Sequence, residues 1–246
     1  MHGTVTGEGH VDFGGRSVVI TGVGREGQMG EAVALAFAEA GARVFLVDRQ
    51  ESEARARADA LLAAGLRAAG LGVDLSDEVG VAALAERVRD ATGGRVHALV
   101  HLAGGFTMSG PISDSDPSLW SRQFAINATT AYLTARAFLP LLRATKGSAV
   151  FFTSAAVLPG GRVAEMSAYA AAKGALVELM RAIAQEEASR GVRANAVAPL
   201  AIRTAANVAA MGPDAAYVSR EDVAKVVLWL CSEEARVVSG QVIPVR

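Results

Sequence analysis

The chain has 246 residues, a formal net charge of −1 and one cysteine, Cys231. The balanced charge lacks the basic footprint of a nucleic-acid binder, and a single cysteine excludes an intramolecular disulfide framework and any multi-cysteine metal site. Hydrophobic residues make up 51% of the chain, yet no uncharged apolar run approaches the roughly 18–20 residues that a membrane span requires. Residues 1–10 lack the basic start and apolar centre of a signal peptide, so the sequence predicts a cytoplasmic globular protein without a membrane partner.

Apolar, β-branched runs alternate with alanine-rich amphipathic segments after a leader over residues 1–15 that is expected to be loose. The predicted strands cover residues 17–21, 43–48, a weaker run ending at 73–74, then 96–102, 148–154, 192–198 and 241–245. The predicted helices cover residues 30–40, 51–64, 76–90 with Ser76 as the cap, 119–142, 167–189 and 221–231. Such alternation is typical of a parallel sheet covered on both faces. We therefore expect an α/β fold with a doubly wound parallel sheet of about seven strands, forming a single domain over residues 1–246.

A glycine-rich segment, Thr21 to Gly30, joins the first predicted strand to the first helix. Glycines at this place let backbone N–H groups approach a pyrophosphate, whose charge the helix N-terminus stabilises. Asp48 ends the second strand, where an acid accepts hydrogen bonds from ribose hydroxyls and repels a 2′-phosphate. Arg25 favours NADP, but Asp48 is better placed, so we expect NAD. Asp74, after the third strand, could hydrogen-bond the adenine; both acids could instead serve as helix-capping acids.

Tyr169 and Lys173 stand four residues apart, on one face of a predicted helix. The pKa of a tyrosine is near 10, and a cation within about 4–6 Å typically lowers such a pKa by about 1–3 units, toward the range of a general acid/base. Ser154 ends the preceding strand and could hydrogen-bond a substrate carbonyl oxygen. Asn127 lies on a largely apolar helix, where a polar side chain needs a partner.

The order of these motifs resembles that of the short-chain dehydrogenase/reductase family, from about residue 17 to residue 245. The motifs that carry the resemblance are Thr21-Gly to Gly30, Asp48, Asp74, Leu99-Val-His-Leu-Ala-Gly104, Asn127, Ser154, Tyr169 with Lys173, and Arg193-Ala-Asn-Ala-Val-Ala-Pro199 followed by Thr204. Each motif is weak singly, and their combination is specific. The resemblance implies a single-domain Rossmann fold and hydride transfer between NAD(P) and an alcohol or carbonyl compound.

The resemblance also implies a role for each site residue. Tyr169 would be the general acid/base, Lys173 would lower its pKa and bind the nicotinamide ribose, and Ser154 would orient the substrate. Asn127 would hold a water that connects Lys173 to solvent. The implied cofactor contacts come from Gly22, Gly24, Gly27, Met29, Gly30, Asp48, Asp74, Leu75, Ala103, Gly104, Tyr169, Lys173, Pro199, Ile202 and Thr204.

Four departures from the family pattern carry further expectations. The glycine segment is about two residues longer than usual, which leaves open which glycines meet the pyrophosphate. His101 stands at a usual asparagine, and we expect it to be a buried, hydrogen-bonded histidine rather than a catalytic one. Ser154 lies slightly farther from Tyr169 than usual, so Thr153 or Ser167 could replace it. The short segment over residues 205–219 predicts an open site, or one closed by a partner subunit.

The leading hypothesis is an NAD(H)-dependent oxidoreductase of a moderately apolar alcohol or carbonyl compound. Two alternatives are a nucleotide-binding or structural protein that has lost turnover, and a 3-oxoacyl-carrier-protein-type reductase. His2, His10 and His97 show no ligand spacing, so no metal is expected. The long helices over 119–142 and 167–189 carry more alanine and leucine than one sheet face needs, which predicts a homo-oligomer, a dimer or homotetramer.

Overall fold

The computed structural model describes residues 11–246. Seven parallel strands form one sheet in the order β3-β2-β1-β4-β5-β6-β7. The strands are β1 (Ser17–Thr21), β2 (Arg43–Asp48), β3 (Arg67–Gly72), β4 (Ala98–His101), β5 (Ser148–Phe152), β6 (Arg193–Pro199) and β7 (Val242–Val245). Successive strands run outward from β1 in one direction and from β4 in the other, and such a switch point opens a crevice at the carboxyl ends of the strands. This Rossmann-like architecture confirms the predicted fold class.

Helices cover both faces of the sheet. They are α1 (Met29–Glu39), α2 (Glu51–Ala63), α3 (Glu78–Thr92), α4 (Pro117–Phe124), α5 (Thr130–Arg143), α6 (Ser167–Glu186), α7 (Ala205–Met211) and α8 (Arg220–Cys231). Alternate residues of each strand enter opposite cores: Val18 and Ile20 pack with α1 and α8, whereas Val19 packs with α3, α5 and α6. This two-sided burial explains why the strands read as continuous apolar runs in the sequence.

The predicted helix over residues 119–142 is wrong in one respect. Helices α4 and α5 are separated by a single wider turn over Ala125–Thr129, in which the backbone bonds span five residues. Turns of this kind occur frequently at functional sites, and Asn127 lies at the centre of this one. Two smaller corrections concern Asp77, which caps α3 in place of the predicted Ser76, and α7, which the sequence did not predict.

The expectation of a loose leader is wrong for residues 11–15, and residues 1–10 lie outside the described part of the chain. Phe13 is fully buried, with its ring 4.9 Å from that of Phe37 in an edge-to-face arrangement. Its backbone N–H donates to Ala40 at 2.7 Å. Across residues 11–246, no helix is long and apolar enough to cross a membrane, and no cluster of three or more His, Cys, Asp or Glu side chains is arranged to hold a metal ion.

Candidate active site

The predicted catalytic side chains meet at the carboxyl edge of the sheet, beside β4 and β5. Tyr169 and Lys173 project from the first two turns of α6, which packs over β6. Lys173 is buried, and its Nζ donates to the carbonyl oxygen of Phe152 at 2.7 Å, the last residue of β5. The same Nζ lies 5.9 Å from the centroid of the Tyr169 ring. The four-residue spacing therefore brings the phenol and the ammonium group together, as predicted.

The pKa of Tyr169 departs from the expected direction. Burial raises this pKa above its ordinary value of 10.0, and the Ser154 hydroxyl lowers it by a smaller amount. Burial also lowers the pKa of Lys173 to about 8, because its ammonium group is removed from water. The expectation that Lys173 brings the Tyr169 pKa below its usual range is therefore wrong for this structure. The Lys173 ammonium group donates to the Phe152 carbonyl oxygen, and burial of the phenol sets the direction of the Tyr169 shift.

Three hydroxyls were candidates for the substrate-orienting role, and their surroundings separate them. Thr153 donates to the carbonyl oxygen of Lys173 at 3.1 Å and so fastens α6 to β5. Ser167 shares a hydrogen bond with Ser109 at 3.3 Å. The Ser154 hydroxyl accepts from the backbone N–H of Ala156 at 3.2 Å. Its hydrogen bond to the Tyr169 phenol lowers the pKa of that group. Of the three hydroxyls, that of Ser154 thus lies beside the Tyr169 phenol.

Asn127 fixes the loop that follows β4 against the base of the site. Its Oδ1 accepts from the N–H of Gly105 at 3.1 Å, and its Nδ2 donates to the carbonyl oxygen of Gly105 at 3.0 Å. A Cβ at Gly104 would lie 2.5 Å from Asn127 Oδ1 and 3.2 Å from Lys173 Nζ, so only glycine fits there. Sequence reasoning missed Gln123, which is buried four residues before Asn127 and accepts from its Nδ2 at 3.0 Å.

His101 is buried and hydrogen-bonded, as predicted. Its Nδ1 lies 3.0 Å from the Thr21 hydroxyl and its Nε2 lies 3.4 Å from the Thr130 hydroxyl. Because Thr130 donates its proton to the carbonyl oxygen of Ile126 at 2.9 Å, it accepts from Nε2–H, and Nδ1 accepts from Thr21. Burial and the Lys173 charge lower the pKa of His101 to about 3. The ring therefore stays neutral and ties β1 and β4 to the start of α5.

The glycine segment forms a tight loop between β1 and α1. Gly22, Gly24 and Gly27 have left-handed φ angles of +69°, +68° and +75°. Gly30 meets the loop directly, since a Cβ there would lie 2.3 Å from the Cα of Val23. Met29 begins α1, and the cap residue Gln28 gives no side-chain hydrogen bond to the first turn. The first turns of α1, α2 and α6 thus lack a side-chain cap, whereas α3, α4, α7 and α8 are capped by Asp77, Asp116, Thr204 and Ser219.

Two residues that sequence reasoning missed support this loop. Glu31, in the first turn of α1, accepts from the N–H of Gly27 at 2.8 Å. Arg220, which begins α8, contacts the same carboxylate at 3.3 Å. An acid in the first helical turn is a signal that the sequence offers, but its pairing with a residue 189 positions away is not.

The acids after the second and third strands have different surroundings. Asp48 lies against the glycine loop, where one carboxylate oxygen accepts from the N–H of Gly24 and the other from that of Gln50, each at 3.0 Å. Asp74 is exposed and accepts from the N–H and the hydroxyl of Ser76, which lowers its pKa. Asp74 is therefore a turn-forming acid with one oxygen unused, and Leu75 beside it is buried.

The segment after β6 borders the same edge. Pro199 ends β6, Ile202 pairs with Val218 through an isolated bridge, and Thr204 is buried and caps α7 by accepting from the N–H of Asn207 at 3.2 Å. Tyr217 closes the segment by donating to the carbonyl oxygen of Gly212 at 2.6 Å. The short segment after β6 thus makes hydrogen bonds within itself, and Leu200 at its start is 56% exposed.

The loop after β4 and the loop before α6 form the outer rim of the site. Phe106 is 56% exposed, and its ring lies edge-to-face on that of Tyr169 with centroids 5.0 Å apart. Ala103 and Gly104 precede it at the end of β4, next to the glycine loop and to Lys173. The carbonyl oxygen of Glu165 accepts from the N–H groups of Ser109 and Gly110 at 2.7 and 3.1 Å. Glu165 itself has a left-handed φ of +62°, a strained conformation for a residue with a side chain.

Known proteins match both the sequence and the structure. A family model described as enoyl-(acyl carrier protein) reductase matches residues 22–246. The chain is 34% identical to 2-(S)-hydroxypropyl-CoM dehydrogenase 3 of Xanthobacter autotrophicus, over 91% of this chain and 92% of that protein. It is 33% identical to meso-2,3-butanediol dehydrogenase of Serratia marcescens, over 95% of this chain and 94% of that protein. A short-chain type dehydrogenase/reductase from Mycobacterium ulcerans superposes with a TM-score of 0.88 at 29% identity, covering 96% of this chain and 90% of the other.

These matches span nearly the whole chain, and the structural likeness agrees with the parallel, Rossmann-like sheet. The named relatives are dehydrogenases of hydroxyl-bearing compounds. The chain therefore belongs to the short-chain dehydrogenase/reductase family and is an oxidoreductase that transfers hydride between a nicotinamide cofactor and an alcohol or carbonyl compound.

Proposed function

We propose that the chain uses NAD(H) to interconvert an alcohol and its ketone or aldehyde, with Tyr169 as the general acid/base. The observation that carries this proposal is the convergence of the Ser154 hydroxyl, the Tyr169 phenol and the buried Lys173 ammonium group at one edge of the sheet. Ser154 holds the substrate oxygen, Tyr169 exchanges its proton, and Lys173 supplies a positive charge beside the phenol. The nicotinamide cofactor supplies or accepts the hydride when bound.

The direction of proton transfer follows from the surroundings of Tyr169. Burial raises its pKa, so the phenol is protonated at neutral pH and suited to donate to the oxygen of a carbonyl substrate. For alcohol oxidation the phenol must lose its proton, and a positive charge favours that loss. Lys173, with its Nζ 5.9 Å from the ring centroid, supplies this charge below its pKa of about 8.

Asn127 acts as a positioning residue in this proposal. Its hydrogen bonds to both backbone groups of Gly105 hold the loop after β4 close to Lys173. An amide oxygen has two lone pairs, and Gly105 uses one of them. We assign the second to a water that carries protons between Lys173 and solvent, as the family resemblance implies.

The glycine loop fits the pyrophosphate of a dinucleotide. The first turn of α1 has no side-chain cap, and its N–H groups lie at the positive end of the helix dipole, which binds anions. Glycines with left-handed φ angles let the chain pass close to a ligand without a Cβ in the way. Gly22, Gly24, Gly27, Met29 and Gly30 would hold the pyrophosphate, with Ala103, Gly104, Pro199, Ile202 and Thr204 nearer the nicotinamide and Asp74 and Leu75 nearer the adenine.

Asp48 supports a preference for NAD over NADP. Its carboxylate is held beside Gly24, where an acid accepts from ribose hydroxyls and repels a 2′-phosphate. Fluorescence titration with NADH and NADPH tests this preference: NADH is expected to bind more tightly, and Asp48→Asn to narrow the difference. Tighter NADPH binding by the unchanged protein would overturn the assignment.

The exposed apolar rim at Phe106, Met108 and Leu200 supports a moderately apolar alcohol or ketone as the substrate class. A panel of secondary alcohols, vicinal diols and their ketones, assayed by NADH absorbance, identifies a working substrate. With that substrate, Tyr169→Phe is expected to lose about 10²-fold or more in kcat while it retains NADH binding. Tyr132→Phe, at an exposed tyrosine of α5, is the matched control and should keep full activity. Wild-type turnover by Tyr169→Phe would refute the acid/base role.

The two alternative functions give different results in the same assays. A nucleotide-binding protein without turnover would bind NADH tightly and reduce no member of the panel. A reductase of acyl-carrier-linked substrates, the class that the family model's description names, would act on a 3-oxoacyl thioester and leave simple ketones unchanged. His101 speaks against the loss of activity, because its hydrogen bonds join β1, β4 and α5 without disturbing Lys173.

We also propose a homo-oligomer, a dimer or tetramer, located in the cytoplasm. Helices α4 and α5 carry the exposed aromatic side chains of Trp120 and Tyr132, which a second copy would cover. Analytical ultracentrifugation tests this: a monomer mass at all concentrations would exclude the oligomer.

A further inference from the structure

A second concave site lies at the amino edge of the sheet, at the opposite ends of the strands from Tyr169. Its cavity has a volume of about 380 Å³, and its cationic lining residues are Arg16, Arg95, Lys146, Arg193 and Arg236. Arg16 precedes β1, Arg95 precedes β4, Lys146 precedes β5 and Arg193 begins β6. The parallel arrangement of these four adjacent strands therefore gathers cations that are far apart in the sequence.

These cations form no salt bridge in the part of the chain that the structure describes, although the charge of Glu233 acts on Arg193. None of the five cationic groups has a carboxylate oxygen within 4.0 Å, although Glu233 also lines the cavity. Arginines elsewhere on the surface are commonly paired, as Arg143 is with Glu187 at 2.6 Å. For a chain whose net charge is −1, five cations and one carboxylate around one cavity leave a local positive potential that attracts anions.

The floor of the cavity is rigid. Arg193 donates to the backbone carbonyl oxygens of Leu230, Ser232 and Val238 at 2.7, 2.9 and 3.2 Å, so its guanidinium group is fixed in place. His97 also lines the cavity, and its Nδ1 accepts from the N–H of Ser17 at 3.1 Å. Burial lowers the pKa of His97, and the nearby charges of Arg16 and Arg95 lower it further.

The backbone at the cavity holds Lys146 in an unusual conformation. Lys146 has a left-handed φ of +53°, which residues with side chains rarely adopt. Its aliphatic stem lies against Gly191, where an added Cβ would be 3.2 Å from the Lys146 Cγ and Cδ atoms. Because Gly191 has no side chain, the aliphatic stem of Lys146 can lie against its backbone along the cavity wall.

We propose that this cavity is a second ligand site, which binds a small anion carrying one or two phosphate groups. Arginine presents paired N–H donors that match phosphate oxygens, and lysine adds a mobile point charge. The volume lies within the range of small-molecule sites. The ligand is distinct from the nicotinamide cofactor, whose glycine loop lies at the carboxyl edge.

Isothermal titration with inorganic pyrophosphate, at constant ionic strength set with chloride, tests the proposal. All samples contain saturating nicotinamide cofactor, so that the glycine loop is filled. The double variant Arg95→Gln/Arg236→Gln removes two exposed cations of the rim and should weaken pyrophosphate binding by about tenfold or more, which corresponds to about one charge-assisted hydrogen bond. Lys146→Asn removes a third cation with a residue that tolerates a left-handed φ, and should also weaken binding. Lys225→Gln, on the outer face of α8, is the control and should bind as the wild type does.

Two results would overturn the proposal. One is the absence of binding by pyrophosphate and by orthophosphate, and the other is unchanged affinity in both the double variant and Lys146→Asn. Titration with glycerol phosphate separates the ligand sources: tighter binding than orthophosphate supports a phosphate ester, and weaker binding supports the free inorganic anion.

Discussion

The base and the rim of the candidate active site are built in different ways. At the base, Lys173, Asn127 and His101 are buried and have hydrogen-bond partners in the backbone or in neighbouring side chains. At the rim, Phe106 and Leu200 are each 56% exposed. The loop that contains Phe106 is held to the loop before α6 mainly through the backbone of Glu165. The groups proposed to transfer protons are thus fixed by the sheet and by α6, whereas the surface proposed to meet the substrate is supported by few contacts. The groups proposed for proton transfer and the residues proposed for substrate selectivity therefore lie in separate parts of the site.

The largest expected effect lies at the base. Lys173→Met removes the buried ammonium group beside Tyr169, and kcat should fall by about 10²-fold or more, because Tyr169 loses the charge that assists its proton transfer. Lys225→Met, at an exposed lysine paired with Asp222, serves as the control and should retain wild-type kcat. If Lys173→Met keeps wild-type kcat, the buried groups at the base do not carry the chemistry, and the proposed difference between base and rim is wrong.

A second test uses the pH dependence of stability. The pKa of Lys173 is about 8 in the folded chain, below its ordinary value of 10.5, so the unfolded chain binds more protons between these values. The free energy of unfolding of the wild type should therefore rise from pH 8 to pH 10.5, by up to about 3 kcal/mol relative to Lys173→Met. Urea denaturation of both proteins at several pH values measures the difference. A constant difference across this range would contradict the burial of a charged Lys173.

The close fit at the base gives the next prediction. Gly104→Ala inserts a Cβ 2.5 Å from Asn127 Oδ1, and the free energy of unfolding should fall by about 1–3 kcal/mol as the loop is displaced. The control is Gly174→Ala, which lies next to Lys173 on α6 and faces open space. It should leave the free energy of unfolding unchanged or raise it by up to about 1 kcal/mol. Equal stability of the two variants would show that the Asn127 contact does not constrain Gly104.

The smallest effect is expected at the rim. Phe106→Ala removes an exposed aromatic ring that is proposed to meet the substrate, so KM should rise by up to about tenfold with little change in kcat. Ile112→Ala, an exposed residue farther along the same loop, should leave both constants unchanged. A loss of kcat in Phe106→Ala that approaches that of Tyr169→Phe would place Phe106 in the base instead.

The sequence predicted the regular parts of the fold closely. Strands β1 and β2 have the predicted bounds, and the spacing of Tyr169 and Lys173 was sufficient to place both on one face of α6. Local patterns succeed there because burial on both faces of a parallel sheet leaves a continuous apolar record. The histidine at position 101 was also predicted to be buried and hydrogen-bonded, although its partners Thr21 and Thr130 could not be named.

The remaining features depend on contacts between distant residues. The wider turn around Asn127 continues a helical pattern without interruption, so no change of period marks it. The contact between Glu31 and Arg220 forms only after α1 and α8 pack together. The raised pKa of Tyr169 depends on how completely loops and helices remove the phenol from water, which spacing alone does not reveal.

The carbonyl oxygen of Glu165 has a consequence for the history and engineering of this enzyme. It accepts from the main-chain N–H groups of Ser109 and Gly110 and from the Ser109 hydroxyl, so the anchor uses only one side chain of this loop. Residues 106–108 and 111–112 can therefore be exchanged around a fixed Ser109 and Gly110, because Gly110 has a left-handed φ of +71° that favours glycine. A graft of this length would give a new substrate surface on an inherited proton-transfer centre. Modular change of this kind is one physical route by which a single fold acquires many substrates.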